Sequence, residues 1–266
     1  MTGEAELHVE EAGEGIPVVL LHGLTATHRY VVMGSRALER SGHRVIAPDA
    51  RGHGRSAPAS DPAAYGYEHL AADVVGLLDD RGVERAVLAG ASMGAHTALR
   101  VALEHPSRVA GLVLVTPAYD PARHPEGLAR WDALSQGLRT GGVEGFVAAY
   151  GDPGVPEPWK GTVKKVLRQR LAAHEHPGAV ADALRAVPRS RPFADLGDLG
   201  AIAVPAVVVA DRDEADPGHP LAVGEAYAAA IAGAGLVVEE EGKSPIAWQG
   251  GQLSKVIAGV AGEVAP

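Results

Sequence analysis

Ala86-Val87-Leu88-Ala89-Gly90-Ala91-Ser92-Met93-Gly94-Ala95-His96 is the stretch whose reading decides the fold. Its first half reads as an apolar strand and its continuation as an apolar-patterned helix, with a sharp turn between them and Ser92 at the point of the turn. Gly90-Ala91-Ser92-Met93-Gly94 fits the pattern G-x-S-x-G. Both glycines are required because so tight a turn brings the backbones of strand and helix close enough for a Cβ to clash. The serine is then held in a strained conformation with its hydroxyl thrust into the site. A helix start with a small N-cap residue fits the same five letters, so the weight of the motif comes from its surroundings.

Before this stretch, Ile16-Pro17-Val18-Val19-Leu20-Leu21 is a continuous apolar run, the mark of a strand buried on both faces of a parallel sheet. It runs into His22-Gly23-Leu24-Thr25. Residues 5–10 alternate apolar and polar and suggest an exposed antiparallel strand. A helix is expected over residues 29–40, closed by Ser41-Gly42. Arg44-Val45-Ile46-Ala47-Pro48 then reads as a strand that delivers Asp49 to the loop Arg51-Gly52-His53-Gly54-Arg55-Ser56. Leu70, Val74, Leu77 and Leu78 form a helical stripe within residues 67–81, capped by Gly82.

After Ser92 a helix over residues 93–104 is stopped by His105-Pro106, and residues 109–115 form another buried strand. From residue 117 to 199 prolines, arginines and histidines accumulate and the apolar stripes are interrupted. We read this as two to four helices inserted as a cap. The alternation resumes with a strand over residues 204–210, the loop Asp211-Arg212-Asp213-Glu214-Ala215-Asp216-Pro217, and a helix over residues 221–232. A last strand over residues 236–239, the loop Glu241-Gly242-Lys243-Ser244-Pro245 and a helix over residues 252–260 complete the chain. Repeated βα units imply an α/β fold with a doubly wound, mostly parallel sheet. Residues 1–116 and 200–266 would form its core and residues 117–199 the cap.

The 266 residues, 46% of them hydrophobic, suffice for a large buried core. A net charge of −9 lacks the basic excess a nucleic-acid face needs, so no nucleic-acid partner is expected. The absence of cysteine excludes disulfides, thiolate metal sites and a cysteine nucleophile. The polar, acidic start and the lack of a long apolar run predict a cytoplasmic protein with no membrane contact. No carboxylate–histidine cluster suggests a metal, and no cofactor is expected.

On these residues the chain resembles the α/β-hydrolase superfamily over essentially its whole length, closest to cap-bearing esterase-like and C–C-hydrolase-like members. His22-Gly23-Leu24 is similar to the family's oxyanion loop, Arg51 to Ser56 to its glycine-rich loop, and Gly90 to Gly94 to its serine turn. The resemblance implies Ser92 as nucleophile and the backbone N–H groups of Leu24 and Met93 as the oxyanion hole. It also implies Asp213 as the acid that orients a histidine. Asp211 is the rival acid; otherwise it is a turn-forming side chain.

The family's base is a histidine in the loop after the last strand, yet here that context reads Gly242-Lys243-Ser244-Pro245. A lysine base working near neutrality needs its pKa lowered by about 3 units, roughly 4 kcal/mol, while an adjacent carboxylate pushes the other way. An ion pair of Lys243 with Asp213, which accepts no proton, is therefore expected ahead of a lysine base, and a solvent-facing lysine is the plain alternative. His219, in Asp216-Pro217-Gly218-His219-Pro220, is the first substitute. His96 follows Ser92 by one helical turn but should face the core; His22 and His53 read as braces for their loops. The expected activity is a serine hydrolase or acyltransferase acting on a small ester, thioester or other acyl substrate. A ligand-binding homologue that has lost its base, with Lys243 as a pocket cation, is the alternative, and cofactor-free perhydrolysis or elimination ranks last.

Overall fold

Strands read as buried on both faces divide their side chains between two helical layers. In β2 (Ile16–Leu21), Val18 and Leu20 belong to one buried cluster and Val19 and Leu21 to another, as a period of two dictates when both faces are covered. β5 (Val109–Val115) splits in the same way, Val113 and Val115 against Leu112 and Leu114. The computed structural model describes residues 5–242, 248 and 250–264.

The sheet has seven strands in the order β1-β3-β2-β4-β5-β6-β7. β1 (Val9–Ala12) runs antiparallel to β3 (His43–Pro48), and the other neighbouring pairs, including β4 (Ala86–Ala91), β6 (Ala206–Ala210) and β7 (Gly235–Val238), are parallel. β1 starts later than the alternation over residues 5–10 suggests. Before Val9 the chain bonds to the glycine-rich loop and its approach, with the carbonyls of Glu6 and His8 accepting from the N–H groups of Ala57 and Asp49.

The helix expected over residues 29–40 shrinks to a 3-10 turn at His28–Tyr30 and α1 (Ala37–Arg40). Met33 (φ +48°) and Gly34 (φ +73°) take left-handed conformations that no α-helix continues through. α2 (Tyr67–Asp80), α3 (Met93–Glu104) and α7 (Leu221–Ala230) cover one face of the sheet, contributing Leu78, Leu99 and Tyr227 to its core. α1 and α8 (Gly250–Glu263) cover the other through Leu38, Leu253 and Ile257.

Between β5 and β6 lie α4 (Leu128–Tyr150), α5 (Glu157–Leu171) and α6 (Pro177–Ala186), with α4 broken at Gly142. Their apolar faces form a third cluster that includes Leu24, in the loop that leaves β2, and Met93, the first residue of α3. This is the segment we take as a cap over the strand ends. Among the described residues no helix is long and apolar enough to cross a membrane.

Candidate active site

Ser92 occupies the turn between β4 and α3 with φ +50° and ψ −112°. Its N–H donates to the Val115 carbonyl at 2.9 Å, extending the β4–β5 ladder, and its side chain makes no helix-capping bond. The flanking glycines are sterically enforced. A Cβ on Gly90 would strike the backbone of Gly94, and one on Gly94 would strike the Leu21 carbonyl. The start of α3 therefore sits against β2 as well as β4, and the serine is lifted over the C-terminal ends of the strands, where open α/β sheets take their ligands.

His219 Nε2 lies 2.9 Å from Ser92 Oγ, and His219 Nδ1 lies 2.7 Å from Asp216 Oδ2. With Nδ1–H donating to the carboxylate, Nε2 presents a lone pair to the serine hydroxyl. The carboxylate and the imidazole come from a single turn, Asp216-Pro217-Gly218-His219. The His219 N–H donates to the Asp216 carbonyl at 3.0 Å, and the Gly218 N–H donates to Asp216 Oδ1 at 3.2 Å. Proline and glycine at the two central positions favour such a turn and bring residues i and i+3 together. Burial works against the imidazolium, but the charge and hydrogen bond of Asp216, with Asp211, outweigh it and hold His219 above its ordinary pKa. Burial likewise works to raise Asp216, and the adjacent His219 more than offsets it, leaving that carboxyl below its ordinary range.

The other residues singled out in the sequence fall as follows. Asp213 is exposed, and its Oδ1 accepts the Leu221 N–H at 2.7 Å, which caps α7; the carboxylate on His219 is that of Asp216. Lys243 lies outside the described residues. Leu24 and Met93 stand beside the serine turn with buried side chains. The Leu24 carbonyl is 2.7 Å from His53 Nε2, and the Gly23 carbonyl accepts from His22 Nδ1–H at 2.8 Å, so two histidines hold the carbonyls of this loop. His22 Nε2 in turn accepts the Ala50 N–H at 2.8 Å, and burial, with His53 beside it, pushes its pKa down to about 3. His96 is a core histidine: its Nε2 accepts the N–H groups of Ala118 and Tyr119, its Nδ1 meets the Tyr67 hydroxyl, and burial lowers it to about 3.

A cleft opens at Ser92 and is lined by His219, Asp216, Asp211, Arg170, Tyr30 and Trp248, among others. Met33, Ser92 and Thr116, the three non-glycine residues with positive φ among the described residues, all line it. Such strain gathers where surrounding packing holds a functional geometry in place. Trp248 lines the cleft, whereas Phe146 and Trp131 pack in the α4–α6 cluster.

The sequence suggests no carboxylate–histidine cluster, yet the fold assembles one. Potential ligand atoms of His8, His28 and Asp49 lie within 4.8 Å of one another. Their wide separation in the chain hides the group. Asp49 already accepts from the N–H and Nδ1 of His28 and from the N–H of Arg55, which braces the glycine-rich loop.

Asp211 is the second carboxyl of the cleft. Burial and the neighbouring Asp216 and Glu239 carboxylates push its pKa up to about 7. An unfolded chain releases this proton near 3.8 and the folded protein keeps it to about 7, so the group's contribution to stability is complete below the first value and lost as pH rises through the second. Asparagine mimics the protonated form. The stability advantage of Asp211→Asn over the wild type is therefore expected to grow by about 2.5 kcal/mol between pH 5 and pH 8, at 1.36 kcal/mol per unit. Denaturant unfolding at the two pH values measures it; an advantage independent of pH would contradict the assignment.

An almost all-parallel sheet with a strained serine between β4 and α3 and a histidine–carboxylate pair beyond β6 defines an α/β hydrolase fold, and the chain belongs to that family. The family model for the alpha/beta hydrolase fold matches residues 16–148. The chain is 35% identical over 213 residues to a protein named as a carbamate hydrolase (RutD) of Variovorax paradoxus, with 79% of each chain covered. It is also 35% identical over 193 residues to epoxide hydrolase A of Mycobacterium tuberculosis, covering 69% of this chain but only 56% of that protein's length. A thermophilic esterase from Thermogutta terrifontis, solved with malate bound, superposes with a TM-score of 0.81 at 28% identity, over 98% of this chain and 95% of the esterase.

Proposed function

We propose that the protein is a serine hydrolase that cleaves a small ester or related acyl compound through an acyl-enzyme on Ser92. The contact of His219 Nε2 with Ser92 Oγ, backed by Asp216 on Nδ1, carries the reading. As Ser92 Oγ attacks the carbonyl carbon, its proton passes to His219 Nε2, and the imidazolium is stabilised by Asp216. The oxyanion of the tetrahedral intermediate meets the N–H groups of Met93, at the start of α3, and of Leu24. Collapse expels the alcohol or amine, which takes the proton from His219. Water, deprotonated by the same nitrogen, then attacks the acyl carbon, and the carboxylic acid leaves as Ser92 regains its proton.

The nucleophile selects among the chemistries of the relatives. A serine oxygen that opened an epoxide would form an ether, which has no carbonyl for water to attack, and the enzyme would stop after one event. Esters, thioesters and carbamates give an acyl-serine that water can cleave. A homologue that has lost its base is not favoured, because His219 stands where a base is needed. The test is active-site labelling with a fluorophosphonate. The wild type is expected to be labelled and Ser92→Ala to remain unlabelled; a wild type unlabelled from pH 6 to pH 9 would refute the proposal.

A further inference from the structure

Lys243 is a pocket cation only in the alternative reading of the sequence, but the described cleft holds a cation of its own. Arg170 lies near the end of α5, two residues from Arg168, and a two-residue step turns a helix by about 200°. The two arginines accordingly differ. Arg168 faces outward in a two-pronged ion pair with Glu144, at 2.7 and 2.8 Å. Arg170 turns inward to the cleft that holds Ser92 and His219, with its guanidinium 5.1 Å above the centre of the Tyr30 ring. It makes no ion pair with any described residue, and its Nε is buried without a hydrogen-bond partner. The nearby Asp216 carboxylate is already engaged by His219 and Gly218.

A guanidinium largely withdrawn from water, with the Asp216 charge nearby but no ion pair of its own, is costly unless a partner completes it. From the position of Arg170 we infer that the substrate carries a carboxylate, held by this guanidinium while its acyl bond lies against Ser92. Stacking on Tyr30 occupies the face of the guanidinium and leaves its planar edge of N–H donors free, a fork that matches a carboxylate. Asp211 and Asp216 in the same cleft disfavour a multiply charged anion such as phosphate. Which bond is cut rests on the serine-hydrolase reading; the recognition itself does not.

The experiment separates the two. Ser92→Ala protein, which cannot turn over, is titrated with monomethyl glutarate and with dimethyl glutarate. The monoester is expected to bind at least about tenfold more tightly, the worth of a charge-assisted hydrogen-bond pair. Adding Arg170→Gln should erase that preference and leave diester binding unchanged, which also reports an intact fold. In the active enzyme, Arg170→Gln should raise KM for the monoester about tenfold with little change in kcat and no change for the diester. Equal binding of the two esters to Ser92→Ala would overturn the inference. So would an Arg170→Gln variant that lowers kcat on both esters alike, since Arg170 would then act only by tuning Asp216 and His219. A binding preference without turnover by the wild type would uphold the carboxylate site and refute the hydrolase reading.

Discussion

His219→Ala is expected to lower kcat on an activated ester by a factor on the order of 10⁴ to 10⁶, about as much as Ser92→Ala, with the double variant no worse than either. The reason is that the serine hydroxyl, at its own pKa, is a poor nucleophile, and His219 Nε2 at 2.9 Å is the acceptor its proton has. Once either partner is gone the other has nothing to do, so the losses do not add. Lys243→Ala should leave kcat within a few-fold of the wild type. Measuring the pre-steady-state burst distinguishes acylation from later steps. A Lys243→Ala variant without a burst, beside a His219→Ala variant that keeps one, would transfer the base role to the lysine.

The sheet and the serine were legible in the residues because both depend on local rules. A doubly buried strand must be apolar throughout, as Ile16–Leu21 is, and the turn at Ser92 needs Gly90 and Gly94 for reasons of contact distance alone. The shortened helix after Tyr30 was not legible, because Met33 adopts a left-handed conformation that its side chain does not announce. The histidine beside Ser92 is half legible. His219 is the first substitute because the loop after the last strand shows no histidine. The resemblance implies Asp213 as the carboxylate on that histidine, whereas Asp216 is the one that meets His219 Nδ1 and Asp213 bonds the start of α7. The local signal was present in Asp216-Pro217-Gly218-His219, a turn sequence that sets its first and last residues side by side. Arg170 gave no sign at all: one of several basic residues on α5, it is distinguished only by its inward direction.

Asp216→Asn and Asp213→Ala should separate cleanly. Asp216 Oδ2 fixes the tautomer of His219 by accepting Nδ1–H at 2.7 Å and stabilises the imidazolium that forms in the transition state. An asparagine there can turn its amide N–H toward Nδ1 and force the proton onto Nε2, where it blocks the serine. A loss of about 10⁴ in kcat is expected. The residual activity should also titrate differently. Because Asp216 helps hold His219 above its ordinary pKa, and the base must be unprotonated to act, the acid limb of kcat/KM lies above the usual imidazole range in the wild type and should move to lower pH in Asp216→Asn. Asp213 touches the N-terminus of α7 instead, so Asp213→Ala should cost about 1 kcal/mol of stability, as a lost helix cap does, while kcat and the acid limb stay within error of the wild type. The reverse outcome, with Asp213→Ala inactive and Asp216→Asn active, would mean that the turn carrying His219 opens during turnover and hands the imidazole to a different carboxylate.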